Sequence, residues 1–198
     1  MHTNKLRASY FYNFSCMPLL LFAPLLIPLL LIFIASVCVT FLISDVICNK
    51  KGAPYVRSHN DKIKTMIELG RIKPNEVVID LGSGDGSLLI AAAAAGAICR
   101  GIEINPFMIW HSRRLIQKAY LTDRIIIVKQ NFFATSLGDA DVVFVYLWPH
   151  TTQKLLEKFI RELKPNARVV SNLFPIPQWT PYAEQDMIFA YHPPCISL

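Results

Sequence analysis

Residues 76–86 read EVVIDLGSGDG, and a second carboxylate, Glu103, follows in RGIEINP at 100–106. Val77, Val78 and Ile79 are a short β-branched run, which suits a strand buried on both faces of a parallel sheet. Asp80 closes that strand, and glycines follow at positions 82, 84 and 86. Having no Cβ, glycine accepts positive φ and lets a ligand approach the main chain, so this turn can fold tightly. The stretch after it, SLLIAAAAAGA, predicts a helix opening straight off the loop. Strand, glycine loop and helix N-terminus together make the nucleotide-side entrance of a doubly wound sheet.

A dinucleotide fingerprint needs G-x-G-x-x-G. Here Ser87 occupies the place of the third glycine, and Gly86 comes one residue early. Asp80 and Asp85 also bracket the loop, where two carboxylates would oppose a pyrophosphate at the helix N-terminus and favour a cation. A ligand with ribose and adenine, no phosphate, and positive charge at its reactive end is S-adenosylmethionine. Glu103 ends a second predicted strand, ICRGIEI, about twenty residues past the loop, where the acidic residue of nucleotide folds accepts the ribose hydroxyls.

The pair DLGSGDG and GIEINP resembles the class I methyltransferases, in which a hydrophobic strand leads into Asp-x-Gly-x-Gly-x-Gly and the next strand ends in an acidic residue. The alternative is a glycine turn of some other α/β protein, with Glu103 a solvated strand end. The resemblance implies a Rossmann-like, doubly wound, mostly parallel sheet of the seven-stranded type. It also implies S-adenosyl-L-methionine held by Asp80, Gly82, Ser83, Gly84, Asp85, Gly86, Glu103 and Ile104.

Outward from this centre, 198 residues allow one domain of ordinary size and an appendage. Residues 15–44 contain no charged side chain, and a span of about 20 apolar residues crosses a bilayer. Pro18, Pro24 and Pro28 predict a kink in the first half. A cleaved signal peptide is the competing reading; the run is longer than a signal's apolar core and no small-x-small site follows closely. The expected organisation is a tail over 1–14, a transmembrane anchor over 15–48, a basic juxtamembrane linker over 49–57 and a methyltransferase domain over 58–198. Lys5 and Arg7 precede the anchor, whereas Lys50, Lys51, Arg57, Lys62 and Lys64 follow it. That asymmetry predicts a single-pass protein with its domain on the cytoplasmic side, or the matrix side of a mitochondrial membrane.

The net charge of +6 lies wholly in the first part of the chain. Nine Lys and Arg stand against three Asp and Glu through residue 74, and eleven against eleven from residue 75. Nucleic-acid enzymes carry a basic face on the folded domain, so no nucleic-acid partner is expected. Basic residues beside an apolar run suit anionic lipid headgroups, or act only as topology signals. Five cysteines without C-x-x-C spacing, and histidines scattered singly, predict neither a disulfide framework nor a metal site.

The soluble part alternates elements. SHNDKIKTMIELGRI reads as a helix ahead of the first strand, and NPFMIWHSRRLIQKAYL as another, with Pro106 near its start. Residues 125–128 and 141–147 read as buried strands, TTQKLLEKFIREL as an amphipathic helix, and ARVVSNL as a fifth strand. Five strands alternating with helices imply a parallel sheet. In the proline-rich ending, MIFAY is one strand of an expected antiparallel edge hairpin.

Several further residues complete the expected site. Asn131 stands where many relatives carry an acidic residue against the adenine amine, and its amide oxygen can accept the same hydrogen bond. Phe132 or Phe133 could stack on adenine, the alternative being a core aromatic beside a turn asparagine. Tyr55 could cover the methionine end. Tyr146 and Trp148, in VYLWPH, occupy the place of the Asn/Asp-Pro-Pro motif of amine methyltransferases without matching it. An aromatic, carbonyl-lined channel suits the long stem and cationic head of a lysine; the alternative is a hydrophobic strand end leading into a helix.

PYV, VIDLGSGDG, GIEINP and FPIPQWTP occur in this order in the small mitochondrial lysine methyltransferases of the adenine nucleotide translocase and the ATP synthase c subunit. The chain is similar to that family over residues 53–192. The similarity implies methyl transfer to a lysine of a membrane protein, with Tyr146 and Trp148 on the acceptor side. Trp179 and its neighbouring prolines would form either a substrate rim or plain packing. The competing acceptor is a lipid or small molecule delivered by the bilayer; the competing function is cofactor binding without catalysis.

Overall fold

A computed structural model describes residues 24, 26–40 and 60–194. The chain divides into two compact units, Met1–Asp45 and Val46–Leu198. In the first, an α-helix covers residues 26–40 (α1), with its apolar side chains exposed. Among the described residues no helix is long and apolar enough to cross a membrane. Most of the anchor expected over 15–48, the linker over 49–57 and Tyr55 lie outside the described residues.

The second unit begins with α2 (Asn60–Gly70) and runs through β1 (Val77–Leu81), α3 (Ser87–Ala94), β2 (Ile98–Glu103), α4 (Pro106–Lys118) and β3 (Ile125–Lys129). A single 3-10 turn, Phe132–Ala134, leads to β4 (Val142–Val145), α5 (Pro149–Glu162), β5 (Arg168–Asn172), β6 (Ala183–Gln185) and β7 (Ile188–Tyr191). The seven strands form one sheet in the order β3-β2-β1-β4-β5-β7-β6. β1 to β5 are parallel, β7 is antiparallel to β5, and β6 pairs antiparallel with β7 at the edge. The order reverses between β1 and β4, so the crevice at their carboxyl ends is the switch point where ligands of open α/β sheets bind.

Successive side chains of a strand point to opposite faces, and each face has its own core. Val78, Cys99, Ile125, Ile127 and Phe144 meet Met66 of α2, Leu89 of α3 and Ile109 and Ile116 of α4 on one side. Ile79, Leu81, Ile102, Val143 and Val169 meet Leu155 and Phe159 of α5 on the other. The central strands β1, β4 and β5 are buried on both faces, as the Val- and Ile-rich runs in them predict.

Two boundaries differ from the sequence expectation. β4 stops at Val145 rather than continuing to 147, and α5 begins at Pro149 rather than Thr151, because Trp148 serves as its N-cap and Pro149 is preset for a first helical position. The chain from β3 to β4 carries only the 3-10 turn, so the strict strand-helix alternation fails there. The first strand of the edge hairpin is β6, three residues long and largely exposed.

At the amino ends of the strands, ion pairs tie the sheet together. Arg168 Nη2 lies 2.6 Å from Glu76 and Lys164 Nζ 2.7 Å from Asp141, whose other oxygen accepts the Val77 N–H at 2.8 Å. These groups lie at the end of the sheet away from the glycine loop.

Candidate active site

The glycine loop leaves β1 with Gly82, Gly84 and Gly86 at φ of 85°, 51° and 76°. These are left-handed values that side chains with a Cβ rarely adopt, which explains the three alternating glycines. Gly82 and Ser83 donate their N–H groups to Ile102 O of β2 at 2.8 and 3.1 Å. Gly86 is the N-cap of α3, and the Asp85 carboxylate accepts the Ser87 N–H at 3.0 Å, standing in for a capping side chain.

Glu103, at the end of β2, is turned onto this loop. Its Oε2 accepts the Gly84 N–H at 2.9 Å, while Oε1 accepts those of Ile104 and Asn105 at 2.7 and 2.8 Å. A carboxylate offers about four lone-pair sites. Three are filled by main chain, and the remaining one, on Oε2, suits a ribose hydroxyl. Asn105 then caps α4 through Oδ1, which accepts the Phe107 N–H at 2.9 Å. Glu103 is therefore a loop-positioning group as well as the expected ribose acceptor.

Asp80 lies beneath the loop, with 7% of its surface exposed. Its pKa is raised from 3.8 to about 7, by burial first and then by the carboxylates of Glu103 and Asp85. The neighbouring Cys99 thiol is raised to about 12, by burial first and by Asp80 second, so it stays neutral. Three carboxylates around one close-turning loop make a cation-seeking site.

Ser83 is buried, and its Oγ has no hydrogen-bond partner among the described residues. It is turned toward Gly101 of β2, where an added Cβ would fall 2.6 Å from Ser83 Oγ, 2.6 Å from Leu89 and 2.7 Å from Ile127. Gly101 was not singled out from the sequence. Its requirement is spatial, and nothing in the residue pattern alone reports how closely the loop sits over β2.

The other expected residues are distributed as follows. Asn131 Oδ1 accepts the Phe133 N–H at 3.0 Å and starts the 3-10 turn, so the turn role is realised and a second lone pair remains for adenine. Phe132 is partly buried against the core and sits 4.8 Å from the Phe133 ring. Tyr146 is half-buried just past β4, and Leu147 packs 3.8 Å from the Cβ position of Gly82, bringing the ends of β4 and β1 together. Trp148 is exposed and lies 5.4 Å from Phe174, ring centre to ring centre. Phe174, at the end of β5, is a further residue that the sequence did not single out. Trp179 packs against Phe159 and Tyr191 at 6.2 and 6.1 Å, which places it in structural packing rather than on a rim. Among the described residues no group of His, Cys, Asp and Glu could hold a metal.

The sheet order, the glycine loop at the switch point and the acidic end of β2 define a class I methyltransferase. A loop with glycine at its three left-handed positions, ringed by carboxylates, fits S-adenosyl-L-methionine. A solved structure supports both statements: an RNA methyltransferase from Salinibacter ruber, bound to S-adenosyl-L-homocysteine, is 31% identical with a TM-score of 0.68, over 70% of this chain and 94% of that one. Residues 80–183 match the ANTKMT methyltransferase domain, and the chain belongs to that family. It is 37% identical to a protein-lysine N-methyltransferase of Saccharolobus islandicus, over 65% of this chain and 81% of that protein. It is 34% identical to the adenine nucleotide translocase lysine N-methyltransferase of Mus musculus, over 70% of this chain and 62% of that protein. The match thus spans less than two thirds of the mouse protein's length.

Proposed function

We propose that this S-adenosylmethionine-dependent methyltransferase acts on a lysine amine of a membrane-associated protein. The observation that carries the reading is the aromatic pair Trp148 and Phe174, 5.4 Å apart at the carboxyl ends of adjacent strands β4 and β5. Aromatic faces attract a cationic head and pack along an aliphatic stem. The acceptors named for the archaeal and mouse relatives agree with it. The RNA named for the Salinibacter protein does not suit this chain, whose residues from 75 onward balance eleven cations with eleven anions.

When bound, S-adenosylmethionine supplies an electrophilic methyl on a sulfonium. Glu103 and the glycine loop would hold the cofactor, Asn131 and Phe132 are the residues that would serve its adenine, and Asp80 and Asp85 those that would attract its cationic end. Tyr146 and Trp148, with Phe174, orient the amine and keep water from it. A lysine must first lose its proton, which from a pKa near 10.4 costs about 4 to 5 kcal/mol at pH 7; desolvation by this wall and a neighbouring cation both lower that pKa. Alignment at near-attack distance supplies most of the remaining acceleration.

We further infer that the apolar stretch holds the chain at a membrane with the domain on the side of the basic flank. The uncharged run over residues 15–44 and the cations that follow it support this. The test is to incubate full-length protein with methyl-labelled cofactor and its own membranes, then locate the label by mass. Label on a protein lysine is expected; label confined to the lipid extract would move the acceptor to a bilayer-borne small molecule, and no label at all would make the chain a non-catalytic binder.

A further inference from the structure

Helix α4 has two well-separated sides. Ile109, Ser112 and Ile116 are buried against the sheet. At about 100° per residue, Trp110, Arg114, Phe107, Lys118 and His111 share an arc of about 100° on the opposite side. Trp110 is 50% and Phe107 45% exposed, and Arg114 and Lys118 are exposed as well. The Arg114 guanidinium lies 4.5 Å from the centre of the Trp110 ring, and the Phe107 ring stacks parallel to His111. The sequence of α4 contains no Asp or Glu. Arg113, also exposed, lies on the flank of the helix and donates from Nη2 to Ile127 O at 3.0 Å, so the cations of the outer arc are Arg114 and Lys118.

An ordinary solvated helix face mixes both signs of charge and spares its large rings. This one offers exposed aromatic rings, cations and no carboxylate, the composition of a helix lying at a membrane interface. We propose that the outer face of α4 is a docking surface for a bilayer carrying anionic phospholipid headgroups. Trp110 and Phe107 enter the headgroup boundary while Arg114 and Lys118 meet the lipid phosphates. Nucleic acid fits less well, because rings dominate the arc and the domain as a whole carries no basic excess.

The consequence for function lies in where α4 begins. Its capping residue, Asn105, follows Glu103 by two positions and shares that carboxylate with the glycine loop. A bilayer seated on α4 would therefore lie beside the end of the sheet that carries the site. Two rings and two cations give weak, reversible attachment by themselves. Their part is to set the domain's orientation, and this holds whether or not the apolar N-terminal stretch is an anchor.

The test uses the full chain with vesicles of phosphatidylcholine, alone or with phosphatidylglycerol, each doped with headgroup spin-labelled lipid. Subtracting the emission of W110F isolates the Trp110 signal. That signal is expected to fall by about half in anionic vesicles and much less in neutral ones. R114E should bring the anionic value toward the neutral one while binding S-adenosylmethionine as the parent does. An unquenched Trp110 in anionic vesicles overturns the proposal, including the cases where a second copy or a bound protein shields the ring. Flotation on neutral vesicles reads the anchor separately: flotation without quenching leaves the anchor and removes the α4 surface, and quenching without flotation does the reverse.

Discussion

Glu103 Oε2 accepts the Gly84 N–H at 2.9 Å, so the residue that ends β2 also fixes the middle of the glycine loop leaving β1. With Ile104 and Asn105 on Oε1, one carboxylate closes two turns at once. Glu103→Ala should weaken S-adenosylmethionine binding by about 10- to 100-fold, or roughly 1.4 to 2.8 kcal/mol, as charge-assisted hydrogen bonds are lost. Glu103→Gln should not restore it. Whichever way the amide is turned, its NH2 must face a main-chain donor, Gly84 on one side or Ile104 and Asn105 on the other. Titration calorimetry on both variants checks this; a Gln variant with parental affinity would mean that the loop does not depend on the carboxylate.

Asp80 predicts a pH dependence. Its folded-state pKa, about 7, lies above the ordinary 3.8, so between those values the folded, cofactor-free protein keeps a proton that the unfolded chain has released. Stability from this group is present at low pH and declines as pH rises toward about 7. Affinity for a cationic ligand runs the other way, since the ionised carboxylate is the form that attracts it. Binding should tighten through the same window, by up to about tenfold per unit, and level off above about pH 7. Calorimetry in buffers of different ionisation enthalpy should also detect proton release on binding. Affinity that stays flat from about pH 5.5 to 7.5 would exclude the coupling.

Gly101→Ala should be disproportionately harmful for so small a change. The new methyl would lie within 2.7 Å of Leu89, Ser83 and Ile127, all packed at the base of the loop. Overpacking of this kind costs about 1 to 3 kcal/mol, and here the displaced groups carry the loop with them. Thermal unfolding should show a lowered midpoint, and cofactor affinity should fall in parallel.

Trp148→Ala and Phe174→Ala should raise KM for the acceptor with little effect on the dissociation constant of S-adenosylmethionine, because both rings lie at the ends of β4 and β5 rather than on the glycine loop. Steady-state kinetics on the labelled acceptor, beside cofactor binding, separates the two effects. Equal losses in both would place the rings at the cofactor instead.

Deleting residues 1–48 should leave a folded domain that binds S-adenosylmethionine, since Met1–Asp45 forms a compact unit of its own. Circular dichroism and calorimetry on the shortened chain decide it; failure to fold would mean that the apolar stretch packs into the sheet domain.

Most of the scaffold is legible because the central strands β1, β4 and β5 carry runs of β-branched and aromatic residues that are buried on two faces, and because the glycine loop has a single sterically sensible use. The short third crossover is not, since nothing in residues 130–141 announces the missing helix. β6 is hidden for a related reason: three largely exposed residues carry no alternation to read. At the site, the types of residue are legible but their allegiances are not. Asn131 spends its oxygen on Phe133, Glu103 spends three lone pairs on main chain, and Trp179 turns inward to Phe159 and Tyr191. Phe174 and Gly101 become visible only when adjacent strands bring them to Trp148 and Ser83.

The helix-free passage from β3 to β4 has a further effect. With no helix between them, Ile98 and Ile126 remain 47% and 62% exposed, and β3 is the outermost strand on that side. An edge strand with bare aliphatic neighbours invites a second chain to add to the sheet. Concentrated or heated protein should begin to self-associate there, and a lysine in place of Ile126 should delay it.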